Sequence, residues 1–214
     1  MNDRHHERIR AVAGPVSRET LERLDRFAER FLEWNSRINL VAASTINDLW
    51  ERHIVDSAQI LPLLGRRRTI ADIGSGGGFP GLVLAILMAE TDGARLHLIE
   101  SNRKKTAFLT TITGVFGLPV TVHPVRIEDS YATVGPVEAV TARALTDLPN
   151  LVELSLPWLR NGATGFFHKG RDFQREILDC RTRFTMDVIV HESRTRDGGV
   201  ILEITDPAPA GPGR

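Results

Sequence analysis

The sequence predicts an α/β fold: a doubly wound, mostly parallel sheet of the Rossmann-like kind, preceded by a helical extension. Three observations predict it. After residue 65, short apolar strand-like segments alternate with helical segments. Such alternation is typical of parallel sheets with right-handed crossovers and helices on both faces. A glycine-rich turn follows the first strand, and the first 65 residues carry only helical patterns.

The helical extension contains two predicted helices. The first begins after Ser17, a candidate N-cap, and has apolar residues at helical spacing: Leu21, Leu24, Phe27, Phe31 and Leu32. The second is expected to begin at Thr45 as N-cap, with Asp48 three residues on, and to run until Pro62. We therefore expect residues 1–65 to form a helical extension and residues 66–206 to form the sheet domain.

Five segments are predicted to be the parallel strands: TIAD, RLHLI, VTVH, EAVTA and GFFH. Helices are expected to begin near Pro80, Asn102, Asp147 and Arg171. Two further strands, FTMDVIVHE and GVILEI, are joined through RTRDGG, whose Asp-Gly pair is a hairpin signal. An antiparallel hairpin should therefore close the sheet. The Pro/Gly-rich tail, residues 207–214, is expected to be disordered.

The composition sets limits on the function. Hydrophobic residues make up 42% of the 214-residue chain and charged residues 25%, as in ordinary globular proteins. No apolar run reaches the roughly 18 residues of a membrane span, and the charged N-terminus has no secretory h-region. The single cysteine, Cys180, cannot form an internal disulfide. We therefore expect a cytoplasmic protein with no membrane association.

The glycine loop predicts a nucleoside ligand. Gly76, Gly78 and Gly81 match G-x-G-x-x-G, and Glu100 ends the next strand near the spacing of about 20 residues at which an acid binds ribose hydroxyls. A P-loop is excluded because no Lys-Ser/Thr pair follows the glycines. Asp72, directly before the loop, would repel a pyrophosphate but attract an ammonium or sulfonium group. S-adenosylmethionine carries both cations and no phosphate.

Two other functions stay open at this point. An NAD-dependent oxidoreductase is supported by the glycine spacing and Glu100 but opposed by Asp72. A non-catalytic RNA-binding module is opposed by the intact glycine loop and by the balance of 27 basic and 27 acidic residues. No metal-ligand spacing appears in the sequence, so no metal is expected.

Several motifs together resemble one family. They are EWNSRINL, RHIVDS, DIGSGGGFPGLVLAI, ESNRKKTAFL, VRIED, TARAL and HKG. The chain resembles, from about Phe27 to Ile204, the bacterial 16S ribosomal RNA guanine-N7 methyltransferase G family (RsmG, also called GidB). The resemblance implies a class I S-adenosylmethionine-dependent methyltransferase that modifies N7 of a guanosine near the decoding centre. It implies a monomer that acts on 16S rRNA or a small-subunit ribosomal particle.

The resemblance also implies roles for particular residues. Gly74 and Phe79 would line the cofactor site, Ile127 and Glu128 would lie beside the adenine, and Arg143 would sit at the methyl-transfer end. With the loop residues, the predicted S-adenosyl-L-methionine contacts are Asp72, Gly74, Gly76, Gly78, Phe79, Glu100, Ile127, Glu128 and Arg143. Val41 departs from the family, where we expect a threonine at this position.

The chemistry needs little acid–base catalysis, because guanine N7 has a lone pair and no proton to lose. Arg143 is the candidate catalytic residue, expected to contact guanine O6, a phosphate or the cofactor. The candidate RNA contacts are Arg103, Lys104, Lys105 and Lys169. His53, Asp56 and Ser57 share one helix face, and we interpret them as a structural polar network rather than as RNA contacts or an acid/base group.

Overall fold

The computed structural model describes residues 2–195 and 197–210, without the side chain of Asn2. Its strands are β1 Thr69–Ile73, β2 Arg95–Ile99, β3 Val120–His123, β4 Ala139–Arg143, β5 Thr164–Lys169, β6 Phe184–Glu192 and β7 Val200–Pro209. They form one sheet in the order β3-β2-β1-β4-β5-β7-β6. The first five strands pair in parallel, whereas β7 is antiparallel to β5 and β6. The predicted doubly wound sheet with a closing hairpin is confirmed.

The helices are α1 Asn2–Ala13, α2 Arg18–Ile38, α3 Ala43–Ile46, a π-helix Trp50–Val55, α4 Asp56–Ala58, α5 Leu61–Leu64, α6 Gly81–Leu87, α7 Arg103–Phe116, α8 Tyr131–Val134, α9 Leu148–Leu159 and α10 Phe173–Arg181. Ser17 caps α2 as predicted, since its hydroxyl accepts from Thr20 N at 3.2 Å. Asn102 and Asp147 cap α7 and α9 in the same way. None of the helices in the described part of the chain has both the length and the apolar character needed to cross a bilayer.

The prediction of one continuous helix from Thr45 to Pro62 is wrong. The segment is broken into α3, the π-helix, α4 and α5. Thr45 does not cap a helix, because its hydroxyl donates to Ala42 O at 2.9 Å within the α3 turn. Ser57 likewise donates back to His53 O at 2.6 Å, and such side-chain bonds compete with regular helix. Pro62 lies in the first turn of α5, where its missing N–H costs nothing.

The helical extension packs directly on the sheet domain through an aromatic cluster. Phe27 and Phe31 of α2 are fully buried. The Phe31 ring lies 5.0 Å from that of Phe79 beside the glycine loop and 5.8 Å from that of Phe108 on α7. One hydrophobic core therefore includes residues from both sides of the predicted boundary. The division at residue 65 stays a prediction.

The C-terminal hairpin extends further than predicted. Strand β7 continues through Pro209, which pairs with Phe184, while Ala208 pairs with Thr185. The prediction of disorder is therefore wrong for residues 207–209, because these backbone groups extend the sheet; residues 211–214 and Arg196 lie outside the described residues. The predicted turn at Asp197-Gly198 joins the two strands, and Gly198 has a φ of 70°, which glycine adopts readily.

Candidate active site

A cavity of about 1030 Å³ opens at the carboxyl ends of β1, β2 and β4. This edge, where the strand order reverses around β1 and β4, is where doubly wound sheets bind ligands. Eight of the predicted site residues line it: Gly74, Gly76, Phe79, Glu100, Lys105, Ile127, Glu128 and Arg143. Residues from four separate segments of the chain therefore meet around one space, which we call the glycine-loop cavity.

The glycines of the loop have different structural roles. Gly74 and Gly76 line the cavity and have φ values of 64° and 54°, a conformation that other residues rarely adopt. A Cβ on Gly74 would lie 2.6 Å from Leu145 Cδ1, so the absent side chain also makes room for that leucine. Gly78 does not line the cavity, although it was predicted to; its Cβ would lie 2.4 Å from Leu82 Cδ1 in α6. Gly78 thus serves the turn into the helix.

Glu100 is oriented into the cavity by the backbone. One carboxylate oxygen accepts from Gly76 N at 2.9 Å and the other from Asn102 N at 2.8 Å. Each oxygen keeps a further lone pair that can accept from a ribose hydroxyl. The carboxylate also accepts the hydrogen bond of the Gly76 N–H, which a phosphate bound at the loop would need. This arrangement suits a nucleoside without a pyrophosphate at the loop.

Asp72 does not reach the cavity, contrary to our prediction of a cofactor contact. Its side chain is buried beneath the loop, where one oxygen accepts from Thr141 Oγ1 at 2.7 Å. The other oxygen faces Gly81, whose Cβ, if present, would lie 2.6 Å from it. Burial raises the pKa of Asp72 to about 6, against the hydrogen bond from Thr141. Asp72 therefore supports the junction of β1 and α6 from below.

Arg143 ends β4, and its guanidinium is held on several sides. One terminal nitrogen donates to Arg52 O at 2.8 Å and contacts the Asp56 carboxylate at 3.2 Å. The other lies 2.6 Å from His53 Nδ1, and the group stacks over Phe79 at 5.2 Å from the ring centroid. The predicted network of His53 and Asp56 is therefore built around Arg143. Sequence reasoning placed these side chains on one helix face but did not connect them to Arg143.

The residue after Arg143 gives the chain a sharp turn. Ala144 has a φ of 53°, in the left-handed region that costs a non-glycine residue on the order of 1 kcal/mol. This turn brings Leu145 over Gly74, where it lines the cavity while remaining partly exposed. Nothing in the sequence TARAL indicated this contact, because it depends on two strands lying side by side.

The four candidate RNA contacts fall into two groups. Arg103 and Lys104 are exposed in the first turn of α7, and Lys105 lines the cavity. Lys169 is different: its ammonium is buried, 2.6 Å from Glu176 Oε2 and 2.8 Å from Thr146 O. Lys169 is therefore not part of an exposed basic surface, since its charge is neutralised by Glu176.

The cavity also has a wall that the sequence did not indicate. Val41, Ala42, Thr45 and His53, all from the helical extension, line it opposite the glycine loop. The valine at position 41 therefore stands in the wall, where we expected a threonine, and puts a methyl group there in place of a hydroxyl. Only the packing of α2 on the sheet brings this segment to the cavity.

Cys180 lies away from the site, as predicted. It is fully buried in α10, and burial raises the pKa of its thiol to about 11. Within residues 2–195 and 197–210, no group of three or more His, Cys, Asp or Glu side chains could hold a metal ion.

Solved structures share this architecture. The chain aligns with a mutant of MtNAS in complex with S-adenosylmethionine at a TM-score of 0.51 and 11% identity, covering 86% of this chain and 74% of that one. A protein provisionally described as an rRNA-methylase from Clostridium thermocellum aligns at a TM-score of 0.53 and 14% identity, over 70% and 94% of the two chains. The chain therefore has the fold of these solved structures, with a cavity at the carboxyl edge of its sheet.

Relatives in sequence narrow the class to one family. The family model described as "GidB: rRNA small subunit methyltransferase G" matches residues 20–200. "Ribosomal RNA small subunit methyltransferase G" of Chelativorans sp. (strain BNC1) is 50% identical over 92% of this chain and 94% of its own length. The protein of the same name from Sinorhizobium fredii is 45% identical over 96% and 97%. The chain belongs to the rRNA small subunit methyltransferase G family, whose methyl donor is S-adenosylmethionine.

Proposed function

We propose that this protein transfers the methyl group of S-adenosylmethionine to N7 of a guanosine in 16S rRNA near the decoding centre. We also propose that it acts as a monomer in the cytoplasm, where ribosomal RNA is modified. The observation that carries the proposal is the glycine-loop cavity, with Glu100 at one end and Arg143 at the other. The 16S target and the N7 position follow the resemblance to the family.

The cavity's residues fit a nucleoside cofactor. Glu100 would accept hydrogen bonds from the ribose hydroxyls, and Ile127 would provide an apolar contact for the adenine. Gly74 and Gly76 leave the loop backbone open to the ligand. NAD fits less well, because the Glu100 carboxylate already takes the Gly76 N–H and would repel a pyrophosphate there.

The chemistry asks the protein mainly to position two reactants. When bound, S-adenosylmethionine supplies a methyl carbon that is activated by the positively charged sulfur. Arg143 would orient the target, because its planar guanidinium can donate to guanine O6 or to a phosphate and would leave N7 unprotonated. No general base is required, since N7 carries no proton.

The RNA would approach over the start of α7. Arg103 and Lys104 are exposed there, and Lys105 and Arg126 line the cavity. These positive charges lie in or beside the cavity of a chain whose net charge is zero. Local phosphate contacts at this edge would place the target base without a strongly basic surface elsewhere.

The first test is binding of the methyl donor. Isothermal titration should detect binding of S-adenosylmethionine and not of NAD. Glu100→Gln should weaken the binding of S-adenosylmethionine, because the amide NH2 group cannot accept a hydrogen bond from a donor that the carboxylate oxygen accepts from. Leu178→Ser, at an exposed position on α10, is the matched control and should bind normally. Binding of NAD alone would replace this proposal with the oxidoreductase hypothesis.

The second test is methyl transfer. Small-subunit particles and free 16S rRNA, both lacking the modification, are incubated with labelled S-adenosylmethionine, and the modified position is located by cleavage at N7-methylguanosine. Lys104→Glu should lower kcat/KM, whereas Arg160→Glu, exposed at the end of α9, should not. Methylation at an exocyclic amine or in large-subunit RNA would contradict the proposal.

A further inference from the structure

Asp56 is a buried carboxylate that joins two distant parts of the chain. Its side chain is only 3% exposed. One oxygen lies 3.2 Å from an Arg143 terminal nitrogen. The other accepts from Thr195 Oγ1 at 2.7 Å and from Gln59 Nε2 at 2.8 Å. His168 Nε2 lies 2.9 Å from the backbone oxygen of Asp56. Asp56 thus connects the end of β4 to the turn of the C-terminal hairpin.

The same guanidinium is fixed from its other side by the π-helix. The nitrogen that meets Asp56 also donates to Arg52 O, and the second terminal nitrogen contacts His53 Nδ1 at 2.6 Å. The face of the group lies over Phe79. The two terminal nitrogens therefore have different partners, so rotation of the guanidinium about its Cζ–Nε bond would break contacts on both sides.

The charge on Asp56 is maintained despite its burial. Burial raises the pKa of the Asp56 carboxyl, but the charges of His168 and Arg143 outweigh it and hold the pKa below the ordinary value. A buried carboxylate of this kind needs its partners, since an unpaired charge in the interior is costly. The ion pair with Arg143 is therefore present at neutral pH.

We propose that Asp56 is a positioning residue that fixes the orientation of the Arg143 guanidinium at the edge of the glycine-loop cavity. Arg143 and Ala144 line both this cavity and a second one of about 290 Å³ on the Asp56 side. The space on both sides would accommodate a second orientation of the guanidinium if its contacts were lost, and the buried Asp56 carboxylate is the charged contact that favours the observed orientation. The consequence for catalysis rests on the proposed function, because it requires Arg143 to orient the target.

Gln59 offers a matched control for a merely structural role. It is buried next to Asp56 and also accepts from Arg194 N at 2.9 Å, so it anchors the same hairpin turn. No hydrogen bond joins Gln59 to Arg143 among the contacts of the described residues. Gln59→Leu should therefore loosen the hairpin anchor and leave the guanidinium in place.

The direct test measures rotation of the guanidinium by NMR of the arginine side-chain N–H groups, with the Arg143 signals assigned from their loss in Arg143→Lys. Wild type and Gln59→Leu should give separate signals for the two terminal nitrogens. Asp56→Asn should speed their exchange on the order of tenfold or more, because one charged acceptor is lost. If Asp56→Asn does not fold, Asp56→Glu carries the same expectation through its displaced carboxylate. Unchanged exchange in the folded variant overturns the proposal.

The catalytic consequence is tested by a double-mutant cycle. Asp56→Asn should lower kcat about tenfold with little change in the KM for S-adenosylmethionine. In an Arg143→Ala background, the same change should lower kcat by less than about twofold, because Asp56 acts through Arg143. Equal effects in both backgrounds would reject the positioning role. If wild-type protein does not methylate small-subunit RNA, the proposed function fails, while the NMR measurement still decides the role of Asp56.

Discussion

Gly81 should be essential for stability because α6 approaches β1 and β2 closely at this position. A Cβ built on Gly81 would lie 2.4 Å from Leu98 Cδ2 and 2.6 Å from Asp72 Oδ2. Both neighbours are buried, so neither side chain can move into solvent. Leu98 sits in the core, and the Asp72 carboxylate is held by Thr141. Gly81→Ala must therefore displace β2 or the carboxylate.

The expected change in the free energy of unfolding of Gly81→Ala has three contributions. Overpacking a core costs about 1–3 kcal/mol, and disturbing a hydrogen bond to a charged group costs about 1.5–3 kcal/mol. Alanine recovers about 1 kcal/mol of helix propensity. We expect Gly81→Ala to lower the free energy of unfolding by about 1.5–5 kcal/mol, which is a decrease in Tm of about 3–20 °C for a chain of this size.

Gly114 provides the control, because it is also helical but exposed, with nothing within 4 Å of a built Cβ. Gly114→Ala should raise the free energy of unfolding by about 0.5–1 kcal/mol. Urea unfolding of the three proteins, followed by circular dichroism, measures both changes. A Gly81→Ala variant within about 0.5 kcal/mol of wild type would refute the close packing of α6 on the sheet.

Three further predictions follow from the buried groups. Because the pKa of Asp72 is raised from 3.8 to about 6 in the folded protein, its contribution to stability is present below pH 3.8 and is lost as the pH rises to about 6. The free energy of unfolding of the wild type should fall by on the order of 3 kcal/mol across that window relative to that of Asp72→Asn. If urea unfolding gives the two proteins the same pH dependence from pH 4 to 7, the prediction is wrong. Cys180 should react with a maleimide at pH 7.5 only after unfolding, since burial raises its pKa to about 11; rapid labelling of the native protein would be inconsistent with the buried thiol. Arg143→Ala should lower kcat/KM for methyl transfer about 100-fold, and it should also cost about 3–5 kcal/mol of stability, because Asp56 is left buried without its partner. The assay is therefore run well below the variant's Tm, and wild-type turnover there would exclude a role for Arg143.

The local elements of this protein follow from its sequence. The apolar strand segments, the cap at Ser17 and the helix starts near Asn102 and Asp147 were readable because they depend on neighbours within a few residues. The glycine loop and Glu100 were readable for a similar reason, since consecutive parallel strands place their carboxyl ends at one edge. The broken helix after Thr45 was not, because side-chain bonds to the backbone within it override its apolar period.

The tertiary structure decided what the charged residues do. Asp72 and Lys169 were predicted at the site from their positions at strand ends, yet one is buried beneath the loop and the other is paired with Glu176. Asp56 meets Arg143 across 87 residues of chain. The position of a residue at the end of a strand specifies the edge of the sheet at which it lies. The direction of its side chain and the identity of its partner depend on which distant segment packs against it. For charged groups that choice is decisive, because burial without a partner costs more than most other contacts can offset.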